Sequence, residues 1–360
     1  MSAARKSKPL SVLIVGCGAI AGGYDERRPG RKKSAGIFTH AGAYRAHGGF
    51  RLAACVEPDV RRRHAFMVRW GVAQGFANLG ECVEAGLAFD VASVCVPTPM
   101  HTAVLEALLG LPVGAVFAEK PLTGSLADSR RIVAAYAQAG RPLAVNYFRR
   151  SDPAMRALKR ELAAGAWGRV QGAVGYYGKG LFNCGSHLID LLAYLWAPLE
   201  ARAVLGRLDD HLPGDPTLDA VLAGPGGGLV HLVATDARTF FDFELALTTE
   251  KGRLAIEEQG QRLRVRRVKP SPLFAGYRVL EAGKYRPTGV GRALVEAVGN
   301  LHRRLGRGEP LLSDGASALV AEETCAALLA LAKDIPARPD RGASLKARGD
   351  SPARPSGGKP

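Results

Sequence analysis

Three groups of residues in this 360-residue chain stand out for the chemistry their types and spacing allow. The first is Gly16-Cys17-Gly18-Ala19-Ile20-Ala21, which follows the apolar run Val12 to Val15. A glycine turn directly after a buried strand suits a dinucleotide. Gly16 permits the tight turn, Gly18 lets backbone approach a pyrophosphate, and the amides of Ala19 and Ile20 open the helix that faces it. Ala21 stands where a third small residue admits close helix packing. The second is Glu57, at the end of the run Arg51 to Val56, where an acid accepts hydrogen bonds from the adenosine ribose hydroxyls. The third pairs Lys120, flanked by Glu119 and Pro121, with His187 on the first turn of a helix that begins at Ser186. Asp190 follows His187 by three positions and so shares nearly the same helix face. Moving a hydride to or from a carbon that bears a hydroxyl needs a group to take or return that proton.

These residues need a frame. From residue 11 to about 148, short runs rich in valine and alanine alternate with helix-length segments, the pattern of parallel strands buried on both faces. Strands are expected at 11–15, 51–56, 75–77, 91–96, 115–118 and 143–147, and helices at 37–46, 60–70, 81–85, 102–109 and 126–139. Strand carboxyl ends in such a sheet face the cofactor crevice, which puts Lys120 within reach of a substrate beside a nicotinamide. Desolvation or neighbouring positive charge there lowers an amine's pKa toward a useful range. The ribose acid usually follows the turn by about 20 residues, whereas Glu57 lies 39 after Gly18. An insertion over Tyr24 to Ser34 accounts for the excess.

Beyond residue 150 the pattern changes. A helix at 152–164, a strand at 170–177 and a helix at 186–195 precede strand-like runs at 203–208, 229–235, 240–248, 253–257 and 263–268, and helices at 292–305 and 316–333 close the fold. The expected fold class is therefore an α/β Rossmann domain over 9–148, joined to an α+β domain with a largely antiparallel open sheet over 149–335. Residues 336–360, rich in Pro, Gly, Arg and Ser, are expected to form a disordered tail.

Composition narrows the class. With 47% hydrophobic and 23% charged residues the chain reads as a folded protein, and no apolar stretch approaches the roughly 18 to 20 residues of a membrane span. Arg5, Lys6 and Lys8 ahead of an apolar run imitate a secretory signal, but that run feeds the glycine turn rather than a cleavage site. Six cysteines without a CxxC pair imply neither a zinc site nor a disulfide framework, and they suit a reducing cytoplasm. The formal charge of +16 raises nucleic acid as a partner. However, 11 of those charges fall in three segments: 3 near the N-terminus, 4 over 26–33 and 4 after Pro336. No helix-turn-helix, zinc finger or RNA-binding aromatic motif accompanies them. The expected partner is a small molecule, with no nucleic acid, membrane or metal.

Further motifs occur in a fixed order. Val94-Cys95-Val96-Pro97-Thr98-Pro99-Met100-His101 is followed by Ala118-Glu119-Lys120-Pro121 and by Asn146-Tyr147-Phe148-Arg149-Arg150 with Pro153. Gly165-x-x-Gly168 and Gly185-Ser186-His187-Leu188-Ile189-Asp190 come next. Over residues 11 to 200 this series resembles the Gfo/Idh/MocA family, named for glucose-fructose oxidoreductase, inositol dehydrogenase and rhizopine catabolism; Val96 stands where members carry threonine. The resemblance implies an NAD(P)-dependent oxidoreductase acting on CH–OH groups, moving a hydride between nicotinamide and a sugar, nucleotide sugar or polyol. It makes Lys120 the proton carrier, with a cis bond to Pro121, and His187 the hydrogen-bond partner of the reacting oxygen. It places Pro97, His101 and Glu119 near the cofactor, and it implies a homo-oligomer.

Glu57 favours NAD, because it repels a 2′-phosphate, while Arg61, Arg62 and Arg63 keep NADP open. Tyr147, Arg149 and Asp190 are expected at the substrate, with Arg150, Tyr176, Tyr177 and Lys179 around them. Tyrosines suit sugar faces, and arginines hold a carboxylate or a diphosphate. One position departs from the family pattern: dehydrogenases of the family commonly carry an aspartate four residues before the histidine, and here that is Asn183. It joins Lys120 and His187 as a catalytic candidate, yet an amide orients a hydroxyl and exchanges no proton. Two other readings therefore stand beside a dehydrogenase. One is a glycosidase that uses tightly held NAD in a transient oxidation and elimination, as some relatives do; the other is a non-catalytic cofactor-binding sensor.

Overall fold

Strands rich in valine and alanine, buried on both faces, build the first sheet of the computed structural model, which describes residues 8–25 and 36–338. They are β1 (Leu10–Val15), β2 (Phe50–Val56), β3 (Gln74–Phe76), β4 (Phe89–Val94), β5 (Val113–Ala118) and β6 (Leu143–Val145), all parallel in the order β3-β2-β1-β4-β5-β6. Helices α1 (His40–His47), α2 (Val60–Trp70), α3 (Leu79–Glu84), α4 (His101–Leu109) and α5 (Leu126–Gln138) connect them. Strand order reverses between β1 and β4, which opens a crevice at the strand carboxyl ends.

The second sheet starts after α6 (Pro153–Ala163). Its strands are β7 (Val170–Tyr177), β8 (Glu200–Leu212), β9 (Asp215–Ala223), β10 (Leu229–Ala234), β11 (Phe243–Thr249), β12 (Gly252–Glu257), β13 (Arg262–Pro270), β14 (Arg278–Leu280) and β15 (Lys284–Pro287). Their order is β14-β13-β12-β11-β7-β10-β9-β8, with β15 also on β13, and β7 with β10 is the parallel pair in an otherwise antiparallel sheet. Helix α7 (Ser186–Leu195) follows β7, and α8 (Ala293–Arg307) and α9 (Gly315–Leu331) close the chain.

Four local expectations change. The helix expected after the glycine turn is one wide turn, Ala19–Gly23, whose Gly23 and Tyr24 amides reach back five residues. Helix α1 begins at His40, capped by the Thr39 hydroxyl on the Gly42 amide. Strand β9 was not among those expected; it begins at Asp215-Pro216, where proline is tolerated because it lies at the start of a strand. The tail starts later than Pro336: the Arg338 amide bonds the Arg207 carbonyl and its guanidinium pairs with Asp219. Residues 339–360 and 26–35, the latter holding most of the insertion expected over Tyr24 to Ser34, lie outside the described residues. The ends of that insertion meet at Asp25, whose carboxylate accepts the Phe38 and Thr39 amides at 3.1 and 3.2 Å.

Candidate active site

The glycine turn is fixed by contacts that only glycine allows. Gly16 leaves β1 at φ +89°, and a Cβ there would lie 2.9 Å from the Cys95 and Val96 backbone. Its amide bonds the Val56 carbonyl at 2.8 Å, so the turn is tied to β2 and pressed onto the end of β4. At Gly18, by contrast, a Cβ would meet no atom within 4 Å. That open backbone, beside the Gly18, Ala19 and Ile20 amides that take no partner among the described residues, fits a pyrophosphate. Ala21 is fully buried as expected, but Gly22 makes the closest approach to α2, where a Cβ would overlap the Trp70 indole.

Glu57 braces this turn from β2. It is 4% exposed; one carboxylate oxygen accepts the Cys17 amide at 3.0 Å, and the other accepts the Asp59 amide and the Arg62 guanidinium, each at 3.2 Å. Arg63 is turned onto the Glu57 carbonyl. The acid at the end of β2 thus helps set the shape of the turn.

Two expected cofactor contacts are turned inward. His101 is 1% exposed, with Nδ1 2.9 Å from the Pro121 carbonyl and Nε2 2.9 Å from that of Val96. It clasps the loops after β4 and β5, while Pro97 stays exposed. Glu119 Oε1 accepts from Asn146 at 2.6 Å and lies 2.9 Å from His40 Nε2. The other ring nitrogen of His40 is 3.1 Å from the Ser93 hydroxyl, which is 2.7 Å from that of Tyr44. Burial raises the Glu119 carboxyl, and its contacts with His40, Asn146 and Lys120 outweigh that, keeping it below the ordinary range.

Lys120 extends from the end of β5, past a cis bond to Pro121, and its amine donates to the Asn183 carbonyl and lies 3.2 Å from Asn183 Oδ1. Burial pulls the amine below the ordinary lysine range, with Arg149 adding to the effect and Glu119, Cys184 and Asp215 opposing it. Asn183 sits in a second wide turn, Leu181–Gly185, running straight into α7. Its side chain is oriented by its neighbours: Nδ2 donates to the Lys179 carbonyl at 3.0 Å, which leaves Oδ1 for Lys120. A carboxylate at 183 would set oxygen against that carbonyl.

His187 is held edge-on by Tyr147 and Phe148, at ring distances of 5.4 and 5.7 Å, and its Nδ1 is buried without a hydrogen-bond partner among the described residues. Burial holds the ring well below the ordinary histidine range, and the charges of Lys120 and Arg149 push the same way. The charge of the Lys120 amine thus acts on an imidazole 67 positions away in the sequence.

The substrate candidates divide. Arg149 stacks 3.8 Å from the Phe243 ring and 4.8 Å from that of Phe148, and its Nε is buried without a partner among the described residues. Burial pushes this guanidinium down to about 10. Tyr147 and Asp190 are both buried. Tyr147 is fully buried and walls in His187, while Asp190, 1% exposed, is gripped by Arg150 through Nε at 2.9 and 3.0 Å and Nη2 at 2.7 Å. Burial raises the Asp190 carboxyl to about 6 even beside that guanidinium. The pair fastens α7 to the segment after β6.

A doubly wound sheet whose first strand ends in a glycine turn braced by a strand-end acid is a dinucleotide-binding fold. The family model described as an oxidoreductase family with an NAD-binding Rossmann fold, GFO_IDH_MocA, matches residues 10–147. Inositol 2-dehydrogenase of Ralstonia nicotianae is 33% identical over 165 residues, 44% of this chain and 43% of that protein. The chain spans about half the length of the curated relatives it matches. Levoglucosan dehydrogenase, solved with NADH and levoglucosan, has a TM-score of 0.74 at 16% identity, covering 90% of this chain and 97% of that one. The WlbA dehydrogenase of Bordetella pertussis, solved with NADH and UDP-GlcNAcA, has a TM-score of 0.72 at 19% identity, covering 92% and 100%. At those identities the likeness is one of fold. Among the described residues no helix is long and apolar enough to cross a membrane.

Proposed function

We propose that this protein interconverts a hydroxyl and a ketone on a sugar or sugar derivative, with Lys120 moving the proton. The observation that carries this is the seat of the Lys120 amine on Asn183, in the turn that leads into the helix bearing His187. NAD, when bound, supplies the hydride acceptor. The burial that lowers the amine's pKa enlarges its neutral fraction, and the neutral amine takes the hydroxyl proton. A neutral His187, confined by two aromatic rings, presents one ring nitrogen to the reacting oxygen without needing to change charge. Asn183 holds the amine in place and exchanges no proton itself.

Arg149 suggests an anionic substrate. A buried guanidinium stacked on Phe243, its Nε without a hydrogen-bond partner among the described residues, gains most from a carboxylate or a phosphate. The relative solved with UDP-GlcNAcA supports that preference. The test is a panel of neutral sugars, polyols, uronic acids and nucleotide sugars offered with NAD or NADP, read by nicotinamide absorbance. Turnover with NAD on the anionic members is expected. Hydrolysis of chromogenic glycosides with no net cofactor reduction would replace this reading with the glycosidase.

A further inference from the structure

The site lacks the family aspartate at 183, and it holds a carboxylate that the family motifs do not contain: Asp215, at the start of β9. Asp215 reaches the turn from the second sheet, Oδ1 accepting the Phe182 amide at 2.7 Å and Oδ2 the Asn183 amide at 2.9 Å. Space for it is kept by Gly180, at φ +88°, where a Cβ would overlap the carboxylate. The Gly180 amide is itself fixed by the Thr217 hydroxyl at 2.8 Å, two residues beyond Asp215. One hydrogen bond thus separates the carboxylate from the residue whose two oxygens hold the Lys120 amine. On its other side Asp215 borders a cavity of about 850 Å³ that Pro121, Phe182, Leu126 and Leu329 also line.

We propose that Asp215 is the positioning residue for Lys120: it hangs the 181–185 turn so that Asn183 grips the amine, and it supplies the negative charge that the family places at 183. This rests on the reading of Lys120 as proton carrier. The groups facing Lys120 are Glu119 at the end of β5, Asn183 and Cys184 in the turn, Asp215 on β9, Arg149 after β6 and His187 on α7. Of the two carboxylates among them, Glu119 is already engaged by His40 and Asn146. Both carboxylates favour the charged amine, Glu119 more strongly, and Asp215 is the one that also holds the turn on which the amine rests.

The experiment titrates Lys120 directly and needs no substrate: competitive acetylation with acetic anhydride across pH, with the Lys120 peptide quantified by mass spectrometry. In D215N the Lys120 midpoint is expected to fall by about one pH unit, and in D215S by a similar amount, since an opposite charge nearby favours the ammonium. D215E, which keeps the charge, should hold the wild-type midpoint, and NADH titration should be unchanged in all three. A second variant guards against loss of fold in the first; matched near-ultraviolet circular dichroism defines the folded samples. An unmoved midpoint in folded D215N or D215S overturns the proposal and reduces Asp215 to a cap on the turn. Failure of the sugar panel would instead remove the function while leaving this titration readable.

Discussion

Two wide turns, Ala19–Gly23 and Leu181–Gly185, border the same crevice with the same five-residue hydrogen-bond reach, and they are held in different ways. The first is held mainly by backbone. Gly16 presses on the backbone after β4 and bonds that of β2, so its constraint is written in glycine, within one short segment. The second is held by side chains from afar: Lys120 from the first sheet, Asp215 from the second, and the Arg150–Asp190 pair behind the helix that follows. A cradle for a cofactor that many substrates share can be local, whereas a reactive centre requires parts from separate domains to meet.

That contrast can be broken most forcefully at Arg150. Arg150→Ala strands the Asp190 carboxyl inside α7, and a loss of about 3–5 kcal/mol in urea-induced unfolding is expected. A loss under about 1 kcal/mol would mean that the second turn keeps its place without the pair behind it. Next in size is Gly16→Ala, which meets both a positive φ and the Cys95–Val96 backbone; a cost of about 1–3 kcal/mol should appear in the same assay, together with weakened NADH binding. Gly18→Ala sharpens the comparison, because its Cβ meets no protein atom. Stability should stay within about 0.5 kcal/mol, while NADH affinity falls about tenfold in a fluorescence titration. Equal losses of stability in the two alanine variants would deny them separate roles. The smallest effect is one of shape. Lys120 accepts a proton in its neutral form, present above its midpoint, and burial lowers that midpoint, so the oxidation rate should rise with pH and level off below the ordinary lysine value of 10.5. A rate still climbing through that value would show the amine unshifted.

How much was legible follows the same division. The bounds of α2, β7 and α7 coincide with those expected from periodicity, because each is a strongly patterned run with a clear boundary, such as the Asp59 cap on the Arg62 amide. The glycine turn, Glu57, Lys120 and His187 lie where the pattern puts them, at strand or helix ends, because chain direction alone fixes such positions. The burial of Asp190 was not legible, because i, i+3 spacing gives a face without saying what covers it, and α7 is buried on almost every side. The burial of His101 and Tyr147 was hidden likewise, since only tertiary packing decides whether a residue at an element's end turns inward. His40 and Asp215 carried no readable signal. One follows the insertion and the other begins a strand that was not among those expected, and both act across more than thirty positions of sequence.

The most direct test of the account is Lys120→Ala, assayed on the best sugar of the panel with NADH binding titrated in parallel. The account predicts a fall in kcat of about a thousandfold with cofactor affinity unchanged within about a factor of two. Turnover retained in that variant would contradict it.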